Sequence, residues 1–248
     1  MLYNYIKEHY KEAEPIFLSD LLRTNITESV LNQQLKELCE NGLLQQYDEE
    51  VYFIPKKSKL NLAVGPNADM VARYRFISKG DNVDGFYAGN TFANQIGIST
   101  QVPYVIEIVS NNVADDGEIL IGNRRFCVRK PVVSITKENV RVLQMLDLLV
   151  KLDACLDCSY EEAREKFAEY ISVCGITKSD VELYIKEYPP SALEYYYELG
   201  LEHVLAWYVF LPQKVRKWYT YIDFLKKYNG NEVDKKIVYQ NARGKGCE

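Results

Sequence analysis

Apolar and polar positions divide the first sixty residues into three helical stretches and two short extended ones. The first stretch runs from about Leu2 to Lys11 and stops before Pro15. Ser19 is placed to cap a short second helix over Asp20–Arg23, with Leu21 and Leu22 supplying buried side chains. After a turn at Thr24-Asn25-Ile26, the third stretch spans about Thr27–Asn41. Its Leu31, Leu35 and Leu38 stand at i, i+4 and i+7 and so share one inward stripe. Gly42 follows as a left-handed cap. Two β-prone runs, Leu43–Tyr47 and Val51–Ile54, flank the acidic tip Asp48-Glu49-Glu50, and Pro55 closes the hairpin. Three helices with a hairpin directly behind the third is the order of a winged helix-turn-helix.

Beyond residue 60 the pattern becomes mixed. A helix is predicted over Pro66–Ser78, with proline at its start where the missing N–H costs nothing. A second, small-residue helix is predicted over Asn90–Gly97. Extended runs follow at Val102–Val109, Glu118–Ile121, Arg124–Arg129 and Val132–Ile135, with a hairpin turn at Gly122-Asn123. From about Thr136 helical spacing takes over in Val140, Leu143, Leu146, Leu149 and Val150. Ser159-Tyr160-Glu161-Glu162 is a capping box, Thr177–Asp180 opens another helix, and Pro189-Pro190 and Pro212 separate the later ones. A last helix is predicted around Lys214–Tyr228. The fold class is therefore α+β. A winged helix-turn-helix covers 1–60, a small mixed α/β domain 61–136, a helical region 137–228 and a polar, weakly ordered tail 229–248.

Composition narrows the chemistry. Charged residues at 26% and apolar ones at 47% are ordinary for a globular chain. No apolar run reaches the ~18 residues of a membrane span, and the opening lacks a signal peptide's basic start and apolar core. A cytoplasmic protein with no membrane partner is expected. Six cysteines are scattered, and only Cys155-Leu156-Asp157-Cys158 forms a local motif. Structural zinc wants four ligands, and the two histidines, His9 and His203, lie far away in sequence. Free thiols are expected, with no metal and no cofactor. Phosphate-loop, zinc-protease and nucleophile-elbow motifs are absent, so a non-enzymatic role is expected.

Two stretches carry a resemblance. One is Phe17–Leu22 through Leu38–Leu44 to Val51–Pro55, and the other is Tyr87-Ala88-Gly89-Asn90-Thr91-Phe92-Ala93-Asn94-Gln95-Ile96-Gly97-Ile98-Ser99-Thr100-Gln101-Val102-Pro103. Over about residues 1–200 the chain resembles AbiEi-type antitoxins of abortive-infection, type IV toxin–antitoxin systems. That resemblance implies a transcriptional autorepressor whose N-terminal domain binds its operator. It also implies that the remainder counteracts a nucleotidyltransferase toxin without a stable complex.

In a helix-turn-helix the third helix enters the major groove. With Leu31, Leu35 and Leu38 inward, Glu28, Ser29, Asn32, Gln33 and Lys36 point outward as candidate base contacts. Asn32 and Gln33 are each able to pair bidentately with adenine. Thr27 or Asn25 would cap the helix, and Arg23, Thr27, Lys56, Lys57 and Lys59 are candidate phosphate contacts on an inverted-repeat operator. Charge opposes this reading. The chain is −5 overall, and residues 1–60 hold seven Lys/Arg against ten Asp/Glu. The acidic tip would have to project clear of the duplex. The alternative is a non-enzymatic protein-interaction module that keeps the winged helix as scaffold.

A secondary basic patch is Arg124, Arg125, Arg129 and Lys130, either a phosphate or acidic-partner site or an edge strand guarded by charge. Lys214–Lys217 with Trp218 and Tyr219 is a weaker candidate of the same kind. In the 88–101 segment, Gly89, Ala93 and Gly97 would present a flat face to a sheet. Asn90, Asn94, Gln95 and Gln101 would bond loop backbone, and a ligand site is the alternative. Twelve of the twenty tyrosines follow residue 150, and Tyr195-Tyr196-Tyr197 cannot all face one core, so a partner surface there competes with simple packing.

Overall fold

The computed structural model describes residues 2–22, 27–57 and 63–208. Arg23, Asn25, Lys59, the helix expected around Lys214–Tyr228 with Trp218 and Tyr219, and the tail lie outside the described residues.

The N-terminal block runs α1 (Leu2–His9), β1 (Ile16–Phe17), α2 (Leu18–Leu21), α3 (Glu28–Glu40), β2 (Gln45–Gln46) and β3 (Val51–Phe53). Its strands form a sheet of order β1-β3-β2. Leu31 and Leu35 of α3 are fully buried with Leu2, Ile6, Ile16, Leu21 and Leu44, while Leu38 packs only partly against them. Gly42 adopts φ +68° behind α3, as its position predicts. Strand β1 has no counterpart in the sequence reading, because two residues cannot display a period of two. It also moves the start of α2. Ile16 and Phe17 are held extended against Tyr52 and Val51, and the Leu18 N–H bonds the Glu50 carbonyl at 2.8 Å. The helix therefore opens at Leu18 with Phe17 as its cap residue, which places Ser19 inside it rather than at the cap. Leu22, expected to be buried, is 38% exposed.

The chain after Pro55 does not leave the block at once. Strand β4 (Lys56–Lys57) pairs antiparallel with β5 (Ala63–Val64), so paired strands stand on either side of the expected boundary at residue 60. Helix α4 (Ala68–Ala72) is capped by Asn67, whose Oδ1 accepts the Met70 N–H at 2.8 Å. It then widens into a π turn at Arg73–Ile77 instead of continuing as one α-helix to Ser78. A small hairpin, β6 (Ser78–Lys79) with β7 (Asn82–Val83), leads to β8 (Gly85–Tyr87), α5 (Gly89–Gln95), β9 (Val105–Ser110), β10 (Gly117–Ile121) and β11 (Arg124–Arg129). The central sheet has the order β10-β11-β9-β8, with β9 and β11 parallel and the outer pairs antiparallel. Residues Val132–Ile135 form no strand. Both backbone groups of Ile135 are taken by the Asn111 side chain, at 2.8 and 2.9 Å, and Asn139 bonds the Ser134 carbonyl.

One face of the sheet buries Ile106, Ile108, Phe126 and Val128 against Val71, Ala72 and Phe76, and Phe17 and Val51 of the N-terminal block join this cluster. The opposite face carries α5 and α6 (Val140–Val150). Residues Val142 to Leu149 of α6 are all buried, because the sheet covers one side and later helices cover the other. Those are α7 (Leu152–Cys155), α8 (Tyr160–Cys174), α9 (Lys178–Tyr184), α10 (Pro190–Glu198) and α11 (Leu201–Tyr208). The predicted capping box at Ser159 and Glu162 is formed, and Thr177 with Asp180 makes a second. The structure is α+β with small sheets and a helical C-terminal region.

Central burial makes α6 the sensitive element. Leu146→Ala should lower unfolding free energy by roughly 2–5 kcal/mol, whereas the same change at Leu183, 57% exposed, should cost under about 0.5 kcal/mol. Urea denaturation followed by circular dichroism measures both.

Candidate nucleic-acid interface and the ionic seam behind the sheet

Burying Leu31 and Leu35 turns the opposite side of α3 to solvent, and Glu28, Ser29, Asn32, Gln33 and Lys36 are all exposed there. Neighbouring acids on the same helix engage two of them. Gln33 Nε2 donates to Glu37 Oε1 at 3.2 Å, and Lys36 lies 4.0 Å from Glu40. Thr27 occupies the cap position with extended backbone but makes no side-chain cap bond. Lys56 and Lys57 are exposed, on β4 rather than on the hairpin tip.

The tip does not project away. Asp48 and Glu50 turn onto the Arg75 guanidinium of the π turn, at 3.7 and 3.6 Å, and that guanidinium stacks over Phe17 at 5.4 Å. Lys79 pairs with Asp20 and lies over the Tyr10 ring at 5.3 Å. Three acids of the N-terminal block therefore lie against two cations of the central sheet region, Asp48 and Glu50 sharing Arg75. Each pair is half exposed and modest alone, but the aromatic contacts fix its geometry.

Most of the secondary basic patch is engaged within the chain. β11 is an interior strand, between β10 and β9, so its charges do not guard an edge. Arg124 pairs with Asp69 of α4 and Arg129 with Asp147 of α6. Lys130 lies 3.5 Å from Asp115, and its N–H bonds Asp116 Oδ1 at 2.7 Å. Among the described residues only Arg125 of the four has no ion-pair partner. The partners Asp69 and Asp147 lie 55 and 18 residues away, beyond any local pattern.

Arg129 belongs to a seam that sequence reasoning did not single out. On β9, Glu107 accepts from Lys151 Nζ at 2.8 Å and from the Asn90 N–H at 3.0 Å. Its own N–H donates to Thr91 Oγ1 at 2.9 Å. Burial pushes the Glu107 carboxyl up, but the Lys151 bond, the Asn90 N–H and the charges of Lys151 and Arg129 bring it below its ordinary value. Burial acts against the charge of Arg129 too, and Asp147 more than restores it. Nearby, burial and the Glu107 charge push the Cys155 thiol up to about 11. A neutral, buried thiol is a poor metal ligand or nucleophile. Every charge in the seam is paired, and the seam ties β9 and β11 to α5 and α6.

The seam also accounts for the 88–101 segment. Gly89, at φ +48°, lies directly under the Glu107 carboxylate, where any Cβ would collide with it. Ala93 is fully buried on the same side, but Gly97 is not part of that face. It lies past the helix end at φ +76° and is exposed. Asn94 bonds the Ser99 carbonyl at 3.2 Å, and Asn90 contributes its backbone. Asp157, inside the cysteine motif, anchors the next loop by accepting from Ser99 Oγ and the Thr100 N–H at 2.9 and 2.8 Å. Among the described residues no group of three or more His, Cys, Asp or Glu is placed to hold a metal ion, and no helix is long and apolar enough to cross a membrane. In the tyrosine triplet, Tyr196 is buried, Tyr195 bonds Asp153, and Tyr197 is exposed.

Comparison with known proteins adds a family and nothing functional. A model of a family of unknown function, DUF6088, matches residues 2–152, which takes in the N-terminal block, the sheet and the seam through Lys151. No curated protein matches the chain.

The lowered Glu107 value sets a pH dependence. A carboxyl with a depressed folded-state value contributes stability that is complete above its unfolded value and is lost as pH falls through the folded one. Wild-type stability should therefore fall on acidification below about pH 4.5. Glu107→Gln should be less stable at pH 7 and show a shallower acid slope. Parallel slopes for the two proteins across a pH series of denaturation midpoints would mean that Glu107 titrates alike in the folded and unfolded chains, and would overturn this assignment.

Proposed function

The chain belongs to the DUF6088 family, and we propose that its N-terminal block is a winged helix that binds operator DNA, making the protein an autorepressor. The observation that carries this reading is the free outer face of α3, where Ser29, Asn32 and Gln33 are exposed above a helix anchored by Leu31 and Leu35. Asn and Gln side chains offer the paired donor and acceptor that read adenine. The helix, strand, helix, helix, hairpin order supports the same reading. The net acidity of the block weighs less than its total suggests. Asp20, Asp48 and Glu50 are offset in part by Lys79 and by Arg75, which the last two share, so their repulsion of phosphates is reduced. The resemblance of residues 87–103 to AbiEi-type antitoxins extends the proposal to antagonism of a nucleotidyltransferase toxin without stable complex formation.

A second reading, a protein-interaction module with the winged helix as scaffold, is favoured by one observation. The hairpin tip that would flank a duplex is instead turned onto Arg75.

Gel shifts on the gene's own promoter separate the two. On the preferred site Asn32→Ala with Gln33→Ala should cost about 1–3 kcal/mol for each base that is no longer read. Lys56→Ala or Lys57→Ala should weaken binding to all sequences and lower the salt slope by about 1. Equal, weak retention of every sequence would support the scaffold reading instead. For the antitoxin role, co-expression should restore growth inhibited by the toxin while the two proteins fail to co-purify.

A further inference from the structure

The central sheet has two edges, and they are finished differently. Edge β8 is closed. Gly85 backs onto the Phe76 carbonyl so tightly that a Cβ has no room, and the Asp84 N–H bonds the Ile77 carbonyl at 2.8 Å. Edge β10 is open. It holds no lysine or proline, and its pairing with β11 runs without a bulge from Gly117 to Ile121. Those are the usual devices that keep an edge from pairing.

The register specifies which groups are free. Ile121 and Arg124 flank the two-residue Gly122-Asn123 turn and therefore exchange both their hydrogen bonds. By alternation Ile119 and Gly117 also bond to β11, which leaves the N–H and C=O of Glu118 and Leu120 pointing outward. No backbone group of another described segment bonds to them. The Leu120 side chain is 68% exposed. It shares its face with Glu118, Arg125 and Cys127, where Leu120 lies beside Arg125 and Glu118 beside Cys127.

We infer that β10 is the interface for a second copy of this chain, pairing antiparallel with its own counterpart across a two-fold axis at Ile119. In that register Glu118 and Leu120 each face the other residue of the second copy, and their outward groups exchange four hydrogen bonds. Charge complementarity selects this occupant. A row across the joint reads Arg125, Leu120, then the second copy's Glu118. Arg125 is the one cation of its stretch with no ion-pair partner among the described residues, and Glu118 likewise has no ion-pair partner there. The aliphatic stems of both lie over the two leucines. With β8 closed, pairing cannot propagate, so the assembly stops at two. The result is a continuous eight-stranded sheet. This inference does not depend on DNA binding, although a two-fold pair of reading heads suits an inverted repeat.

The test is sedimentation velocity of the full chain, without DNA, over a wide concentration range, with hydrogen exchange on the same samples. A monomer–dimer equilibrium is expected, with the Glu118 and Leu120 amides protected only in the dimer. Leu120→Lys should raise the dimer dissociation constant about tenfold or more, because each change acts twice across the axis. Glu118→Arg alone should do the same, and adding Arg125→Glu should restore dimerisation, an outcome that general unfolding would not produce. A chain monomeric at every concentration would overturn the inference. So would amides protected already in the monomer, or a dimer indifferent to these changes.

Discussion

Glu107 cannot be buried without company, and supplying that company organises the molecule. A carboxylate largely withdrawn from water between a sheet and two helices is tolerated only when cations and N–H groups replace most of its hydration. Lys151 comes from the end of α6, the Asn90 N–H from the start of α5, and Arg129 from the neighbouring strand, itself held by Asp147. Four elements are tied at one place, and each constrains the others. Gly89 is required because the carboxylate sits against its Cα. Removing one member of either ion pair would leave its partner as a largely buried, unpaired charge, which costs more than the pair contributes net.

The same face is reinforced by uncharged bonds. Gln144 of α6 donates to the Tyr87 carbonyl at 2.8 Å and accepts from Tyr170 of α8 at 3.0 Å, so a chain of hydrogen bonds runs from the sheet to the outer helices. Tyr188 reaches the Leu143 carbonyl. Burial pushes the phenols of Tyr170 and Tyr188 well above their ordinary values, so both remain neutral donors. The sheet, α6 and the C-terminal helices consequently share one core, and the N-terminal block docks on the other side through Phe17, Val51, Arg75 and Lys79.

This docking bears on function through charge placement. A total of −3 for residues 1–60 argues against DNA on composition alone, yet affinity depends on where charges stand relative to phosphates. Three of those acids lie against two cations across the junction with the central region. The exposed side of α3 keeps both polar readers and acids, with Glu37 and Glu40 engaging Gln33 and Lys36. On the proposed DNA-binding reading, Gln33 and Lys36 would have to release Glu37 and Glu40, a small rearrangement for exposed side chains.

Local rules made much of this protein legible in advance. The leucine stripe of α3, the left-handed Gly42, the Gly122-Asn123 hairpin and the Ser159 capping box depend on residues within a few positions of one another, and backbone sterics and nearest-neighbour bonding suffice for them. Only the tertiary structure decided which charges were free. Arg124, Arg125, Arg129 and Lys130 read as a basic patch, but Arg124 and Arg129 met carboxylates of other elements, and Lys130 met Asp115 at the foot of its own hairpin. Glu107 gave no signal at all, since a lone acid in an apolar strand looks unremarkable until its partners are known. The open edge at β10 was likewise invisible, because strand order in a sheet is a non-local property: a chain states which residues favour extension but not which strand is left without a neighbour.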